Sequence, residues 1–132
     1  MATRSFIGKL LSNGTVSGIY CHYDGYVDGV GKMLRTHYTT MGLVNKLLKL
    51  GDLSTLGTTT EATEAYHRDR GEPPQEAIVY KSLDEIANGI GASDHGFEFY
   101  YVFTGEADGW LTLERGKKRW LTEAELAGFP AT

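Results

Sequence analysis

Residues 16–31, VSGIYCHYDGYVDGVG, gather one thiol, one imidazole, three phenols and two carboxylates. Ile19, Tyr20, Cys21, His22 and Tyr23 read as a strand, being rich in β-branched and aromatic side chains. The strand stops at Asp24-Gly25. A second turn signal follows at Asp28-Gly29, and a helical pattern begins at Val30, with Asp28 suited to the N-cap. A strand feeding a glycine-broken loop and then a helix leaves first-turn N–H groups without intrahelical partners. The helix dipole adds partial positive charge there. With Lys32 nearby, such a junction suits an anion. Tyr20, Tyr23 or Tyr26 would stack on that ligand, beside His22, Asp24 and Asp28. Gly29 and Gly31 would let it approach the backbone.

The junction matches neither standard phosphate string. A P-loop needs a glycine where Tyr26 stands and a hydroxyl where Met33 stands. The dinucleotide fingerprint needs a third glycine where Leu34 stands. Read blandly, the glycines only shape a tight turn. Gly31 falls inside the expected helix, where Ala is preferred by roughly 1 kcal/mol. Gly31→Ala is therefore expected to cost little stability and to obstruct an anion.

Other residues carry chemistry too. His22, His37 and His67, or two of them with Asp24 or Asp69, could bind zinc if they converged, but HExxH and CxxC spacings are absent, and no metal or cofactor is expected. Residues 66–70 read YHRDR. On an extended segment Arg68 and Arg70 share one face and offer forked donors to a phosphate or carboxylate; pairing with Glu64 and Glu72 is the plain alternative. Cys21 neighbours His22, but adjacent strand residues face opposite sides, so a buried inert thiol is expected. The basic run over 115–119 reads as a solvated hairpin tip. Trp110 and Trp120 read as core covers.

The elements that position these groups are legible. A strand over 5–11 meets Asn13-Gly14, which favours a type I′ turn, and 16–23 returns antiparallel. Helix one over 30–38 presents Val30, Met33, Leu34 and His37 as its apolar face. Thr39 or Thr40 caps a second helix over 41–50, closed by Gly51. Leu53 and Leu56 fold back onto the core, 58–63 is an exposed loop, and 64–70 is extended. A strand over 77–81 precedes a capping box at Ser82 and Glu85, with Gly89 and Gly91 ending that helix. Phe97, Phe99, Tyr101 and Phe103 alternate along the most aromatic strand. Asp108-Gly109 turns it into a strand over 110–114. Thr122 and Glu125 open a last helix, and Gly128 and Pro130 close the chain. The sum is one α+β domain over 1–132: a small, mostly antiparallel sheet of about five strands built from hairpins, with two to four short helices packed on one side.

Totals bound the function. A chain of 132 residues fits one domain with an adequate core. Its 41% hydrophobic and 23% charged residues are ordinary for a globular protein. Net charge −4 and a pI near 5.5 argue against a dominant grip on nucleic-acid phosphates. A single cysteine fits a reducing cytoplasm. Neither a signal peptide nor a membrane span is expected. Oligomeric state stays open, a homo-oligomer included.

Several segments together resemble a family of small uncharacterised proteins encoded in bacteriophage and prophage genomes. They are SFIG, NGTV, IYCHYDGYVDGVG, the His37-Tyr38 pair, LGDLSTLG and AYHRDRGE, between Arg4 and Glu72. The family's usual form has Trp where Tyr23 stands and Pro where Val27 stands. The resemblance implies a phage protein in a bacterial host cytoplasm, in a class that often counters host defence. Three readings follow. The first is a non-enzymatic module that binds a small anionic, nucleotide-like ligand at the junction, helped by Lys32, His67, Arg68 and Arg70. The second is a protein–protein inhibitor of a host defence factor anchored by the tyrosines. The third is a small hydrolase using His22 or His67 with Asp24 or Asp69, for which a complete constellation is lacking.

Overall fold

β1 (Ser5–Leu10) and β2 (Val16–Cys21) form an antiparallel hairpin, with Ser5 opposite Cys21 and Leu10 opposite Val16. The computed structural model describes residues 3–87, 97–107 and 109–114. The hairpin stands where expected, but its turn is not type I′. That turn needs positive φ at both central residues, and here Gly14 alone has it, at +90°. Asn13 accepts from the Thr15 N–H at 3.1 Å and the Thr15 hydroxyl at 2.7 Å, and this local bonding holds Asn13 in ordinary backbone space.

The remaining strands are β3 (Leu53–Thr55), β4 (Glu64–Ala65), β5 (Ile78–Tyr80), β6 (Phe99–Phe103) and β7 (Trp110–Glu114). The sheet runs β4-β3-β2-β1-β6-β7, with β5 on β2. It is mostly antiparallel and, with the helices, makes an α+β fold. Two pairings are parallel, β1 with β6 and β2 with β3. One edge of β2 is shared: β5 pairs with Val16–Gly18, and β3 meets it at Cys21. Between them the Asp52 carboxylate accepts the Tyr20 N–H at 3.1 Å, standing in for a strand.

A π-helical turn (Val27–Gly31) leads into α1 (Lys32–His37), and α2 (Met41–Leu48) follows. Helix one thus begins three residues early and as a π turn. Its buried residues are Val27, Val30, Gly31, Leu34 and, just past its end, Tyr38. Met33 is half-buried and His37 is exposed, so the apolar stripe lies one position round from the expected one. α2 is capped by Thr40, whose hydroxyl accepts the Leu43 N–H at 3.2 Å, and Gly51 follows it at φ +75°. Against these helices the sheet presents Ile7, Ile19, Cys21, Phe99, Tyr101 and Phe103.

The opposite face carries Phe6, Val16, Tyr80, Phe97 and Val102. α4 (Leu83–Ala87) lays Ile86 on it, after Ser82 caps the Glu85 N–H at 3.1 Å. Phe97 belongs to this face and not with Phe99 and Tyr101, because it precedes the strand: the Glu98 N–H bonds the Arg4 carbonyl at 2.8 Å before the regular alternation starts. The expected turn at Asp108, the helix end at Gly89 and Gly91, the basic run 115–119, Trp120 and the capping box at 122–125 lie outside the described residues.

Residues 66–70 are not extended. They form α3 (Tyr66–Arg70), closed by Gly71 at φ +69°. The Asp69 carboxylate accepts the Ala65 N–H at 2.8 Å, which turns the chain into the helix. The 58–63 loop is pinned, with Thr60 and Thr63 buried. Gly57 donates to the Thr63 hydroxyl at 2.9 Å, and that hydroxyl donates to the Thr59 carbonyl at 2.8 Å.

Candidate functional site

The turn from β2 into α1 is held tightly. Asp24 adopts a left-handed conformation at φ +61°, which Asp tolerates better than most residues. Its carbonyl accepts the Val30 N–H at 2.8 Å. The Tyr26 carbonyl accepts from Gly29 at 2.9 Å and Gly31 at 3.4 Å. From beneath, the buried Tyr101 hydroxyl donates to the Gly25 carbonyl at 2.7 Å. These bonds correct two expectations. Asp28 is not the N-cap: it lies inside the π turn, whose cap position is Tyr26, without a side-chain cap bond. The Gly29, Val30 and Gly31 N–H groups are not open to an anion, because backbone carbonyls already receive them.

What the turn builds is a cleft of about 260 Å³. It is lined by Asp24, Tyr26 and Asp28 from the turn and its π-helical start, and by Lys32 and His37 from α1. Met33, Thr36, Leu56 and Thr58 complete the walls. The Tyr26 hydroxyl donates to Asp24 Oδ1 at 3.2 Å. The volume is near the lower end for small-molecule sites. Sequence reasoning named Asp24, Tyr26, Asp28, Gly29 and Lys32 as ligand contacts but missed Val30, Met33, Thr36, His37, Leu56 and Thr58. The signal was the helical stripe Gly29, Lys32, Met33, Thr36 and His37 at spacings of three and four.

The other expected site residues lie elsewhere. Gly31 is buried under α1, where an added Cβ would meet Tyr101 Cε1 at 2.9 Å. Tyr20 packs on the opposite sheet face against Phe97, hydrogen-bonded to His22 Nδ1; its phenol is pushed up by burial. His22 meets the exposed Tyr23 ring edge-on at 4.4 Å. Arg68 grips the 58–63 loop, donating to the Thr60 carbonyl at 2.8 Å and the Thr63 carbonyl at 2.6 Å, and it pairs with Asp69 at 2.9 Å. Arg70 bonds Glu64 at 2.9 Å and lies over the Tyr66 ring. The guanidinium groups hold Asp69 and Glu64 below the usual carboxylate range. His67 Nδ1 bonds the Glu72 carbonyl at 2.7 Å. On a helical turn, residues two apart point in different directions, so Arg68 and Arg70 form no joint anion fork. Cys21 is fully buried, and burial pushes its thiol up to about 12, which removes the thiolate a nucleophile needs.

Among the described residues, no three His, Cys, Asp or Glu side chains gather as a metal set. A chelator is expected to leave the melting temperature unchanged. A chelator-induced drop would reverse this, since structural zinc contributes folding free energy directly.

Comparison with known proteins found no matching family model, no matching curated protein and no matching solved structure.

Proposed function

We propose that the protein is a non-enzymatic, phage-encoded binding module of the bacterial cytoplasm, countering host defence by holding a small nucleotide-like ligand. The observation that supports this reading is the cleft beside the π turn. It joins an aromatic ring, Tyr26, for stacking with Lys32 and His37 for an anionic group. Stacking of a base on an aromatic side chain contributes about 1–3 kcal/mol. The anion is met by side chains, since the neighbouring backbone N–H groups are engaged. Among the described residues no helix is long and apolar enough to cross a membrane.

A second reading is favoured by Tyr23, 44% exposed and backed by His22 and Tyr20 away from the cleft. Such a ring suits the anchor of a protein–protein inhibitor. One experiment separates the two. Thr36 is exposed on the cleft wall, so Thr36→Trp should fill the space with little change in melting temperature. A bound mononucleotide at a hundredfold excess over its dissociation constant should raise wild-type stability by about 2.7 kcal/mol. Thr36→Trp should abolish that gain and Tyr23→Ala should retain it. No gain with any mononucleotide, together with a host protein captured by wild type and lost in Tyr23→Ala, would favour the inhibitor.

A further inference from the structure

Two segments of chain line the cleft, and only one of them is the turn with α1. The other contributes Leu56 and Thr58, which flank Gly57 just past β3. Gly57 is held on both of its polar backbone groups by side-chain hydroxyls. The fully buried Tyr38, one residue past α1, donates its hydroxyl to the Gly57 carbonyl at 2.8 Å. The buried Thr63 hydroxyl accepts the Gly57 N–H at 2.9 Å. The backbone that carries Leu56 and Thr58 is therefore fixed by two residues that do not line the cleft themselves.

Both residues are anchored in turn. The Tyr38 carbonyl accepts the Trp110 indole N–H at 2.9 Å, which ties it to β7. Arg68 of α3 donates to the Thr63 carbonyl at 2.6 Å and to the Thr60 carbonyl at 2.8 Å. The Thr63 hydroxyl gives its own proton to the Thr59 carbonyl at 2.8 Å, so it meets Gly57 as an acceptor. The loop also closes tightly on itself, for a Cβ on Gly57 would sit 2.5 Å from the Ala62 carbonyl oxygen. Residues 57–63 thus form a strap with both ends fixed. Contacts held in place before binding lower its ordering cost, and a site about 1 Å too loose loses that gain.

Building on the nucleotide reading above, we propose that Tyr38 and Thr63 are positioning residues of the cleft: through Gly57 they hold Leu56 and Thr58 in place for the ligand. The test compares Thr63→Val, which keeps the side-chain shape and removes the hydroxyl, with Thr63→Ser, which keeps the hydroxyl. Tyr38→Phe removes only the phenol oxygen. In the full chain without ligand, hydrogen exchange of the Gly57 amide should be about tenfold faster in Thr63→Val and close to wild type in Thr63→Ser. The Thr58 amide, attached to the Gly57 carbonyl, should shift its resonance in Tyr38→Phe. In calorimetric titration with AMP and GMP, the nucleotide that binds wild type should bind about fivefold more weakly to Thr63→Val and to Tyr38→Phe, and Thr63→Ser should restore it. Ser82→Ala removes a helix cap on the other sheet face and should leave affinity unchanged, so lost stability alone is not what is read. If circular dichroism shows Thr63→Val unfolded, Tyr38→Phe decides. Wild-type affinity in the hydroxyl-deleted variants, or an equal loss in Ser82→Ala, would overturn the positioning role and leave the nucleotide reading standing. Binding of neither nucleotide to wild type would overturn that reading, and the ligand-free amide signals would then decide the positioning role: unchanged Gly57 exchange and an unmoved Thr58 resonance would overturn it as well.

Discussion

Gly29→Ala and Gly31→Ala are each expected to destabilise the protein, Gly29→Ala more strongly. A Cβ on Gly29 would sit 2.3 Å from the Asp24 carbonyl oxygen, which accepts the Val30 N–H. Real atoms do not approach so closely, so the carbonyl must move and its hydrogen bond must lengthen or break. Overpacking costs about 1–3 kcal/mol, and a lost backbone bond adds about 1 kcal/mol. On Gly31 the Cβ would meet the fully buried Tyr101 ring at 2.9 Å. That ring cannot yield freely, because its hydroxyl holds the Gly25 carbonyl at 2.7 Å. The helix-propensity gain of up to about 1 kcal/mol offsets only part of the clash, so a net loss of about 1–2 kcal/mol is expected. Urea denaturation measures both. Combining Gly31→Ala with Tyr101→Leu should lose less than the sum of the single changes, since the shorter side chain makes room. A Gly31→Ala protein as stable as wild type would mean that the turn does not rest on Tyr101.

Phe6→Ala should lower stability by about 3–5 kcal/mol, the usual range for a buried Phe. Phe6 is fully buried on the sheet face away from α1 and α2, with ring contacts to Tyr80 at 5.2 Å, Phe97 at 5.8 Å and Tyr100 at 6.1 Å. Two glycines opposite each other in the hairpin, Gly8 and Gly18, make its space. A Cβ on either would reach the Phe6 ring at 2.6 or 2.7 Å. Truncating the ring leaves a cavity over the bare backbone of the two glycines. Domains of this kind are stable by only about 5–15 kcal/mol, so the change removes a large share. A loss below about 1 kcal/mol would mean that this face is not a closed core.

The hairpin, the second helix with its Thr40 cap and Gly51 end, and the 110–114 strand were legible because their signals are local. Asn13-Gly14, Thr40 and alternating aromatics each act within a few residues. The parallel pairings of β1 with β6 and β2 with β3 were not legible, because no local signal says which distant strand fills an edge. Asp69 turned 66–70 into a helix through one side-chain bond to Ala65, which propensity does not register. The π turn escaped for a similar reason: it depends on Tyr101, seventy residues and more away in the chain, holding Gly25. The candidate site was half legible. Asp24, Tyr26, Asp28 and Lys32 are neighbours in sequence as in space. Leu56 and Thr58 come from another loop, and Tyr20, His22, Arg68 and Arg70 went to other duties once the sheet had two faces.

The most direct test of the cleft is amide chemical-shift mapping of the full chain with GMP and AMP. The cleft account predicts that the largest perturbations fall on residues 24–37 and 56–58, with 20–23 and 66–70 nearly unmoved. Largest perturbations at 20–23 or 66–70, or none with either nucleotide, would contradict it.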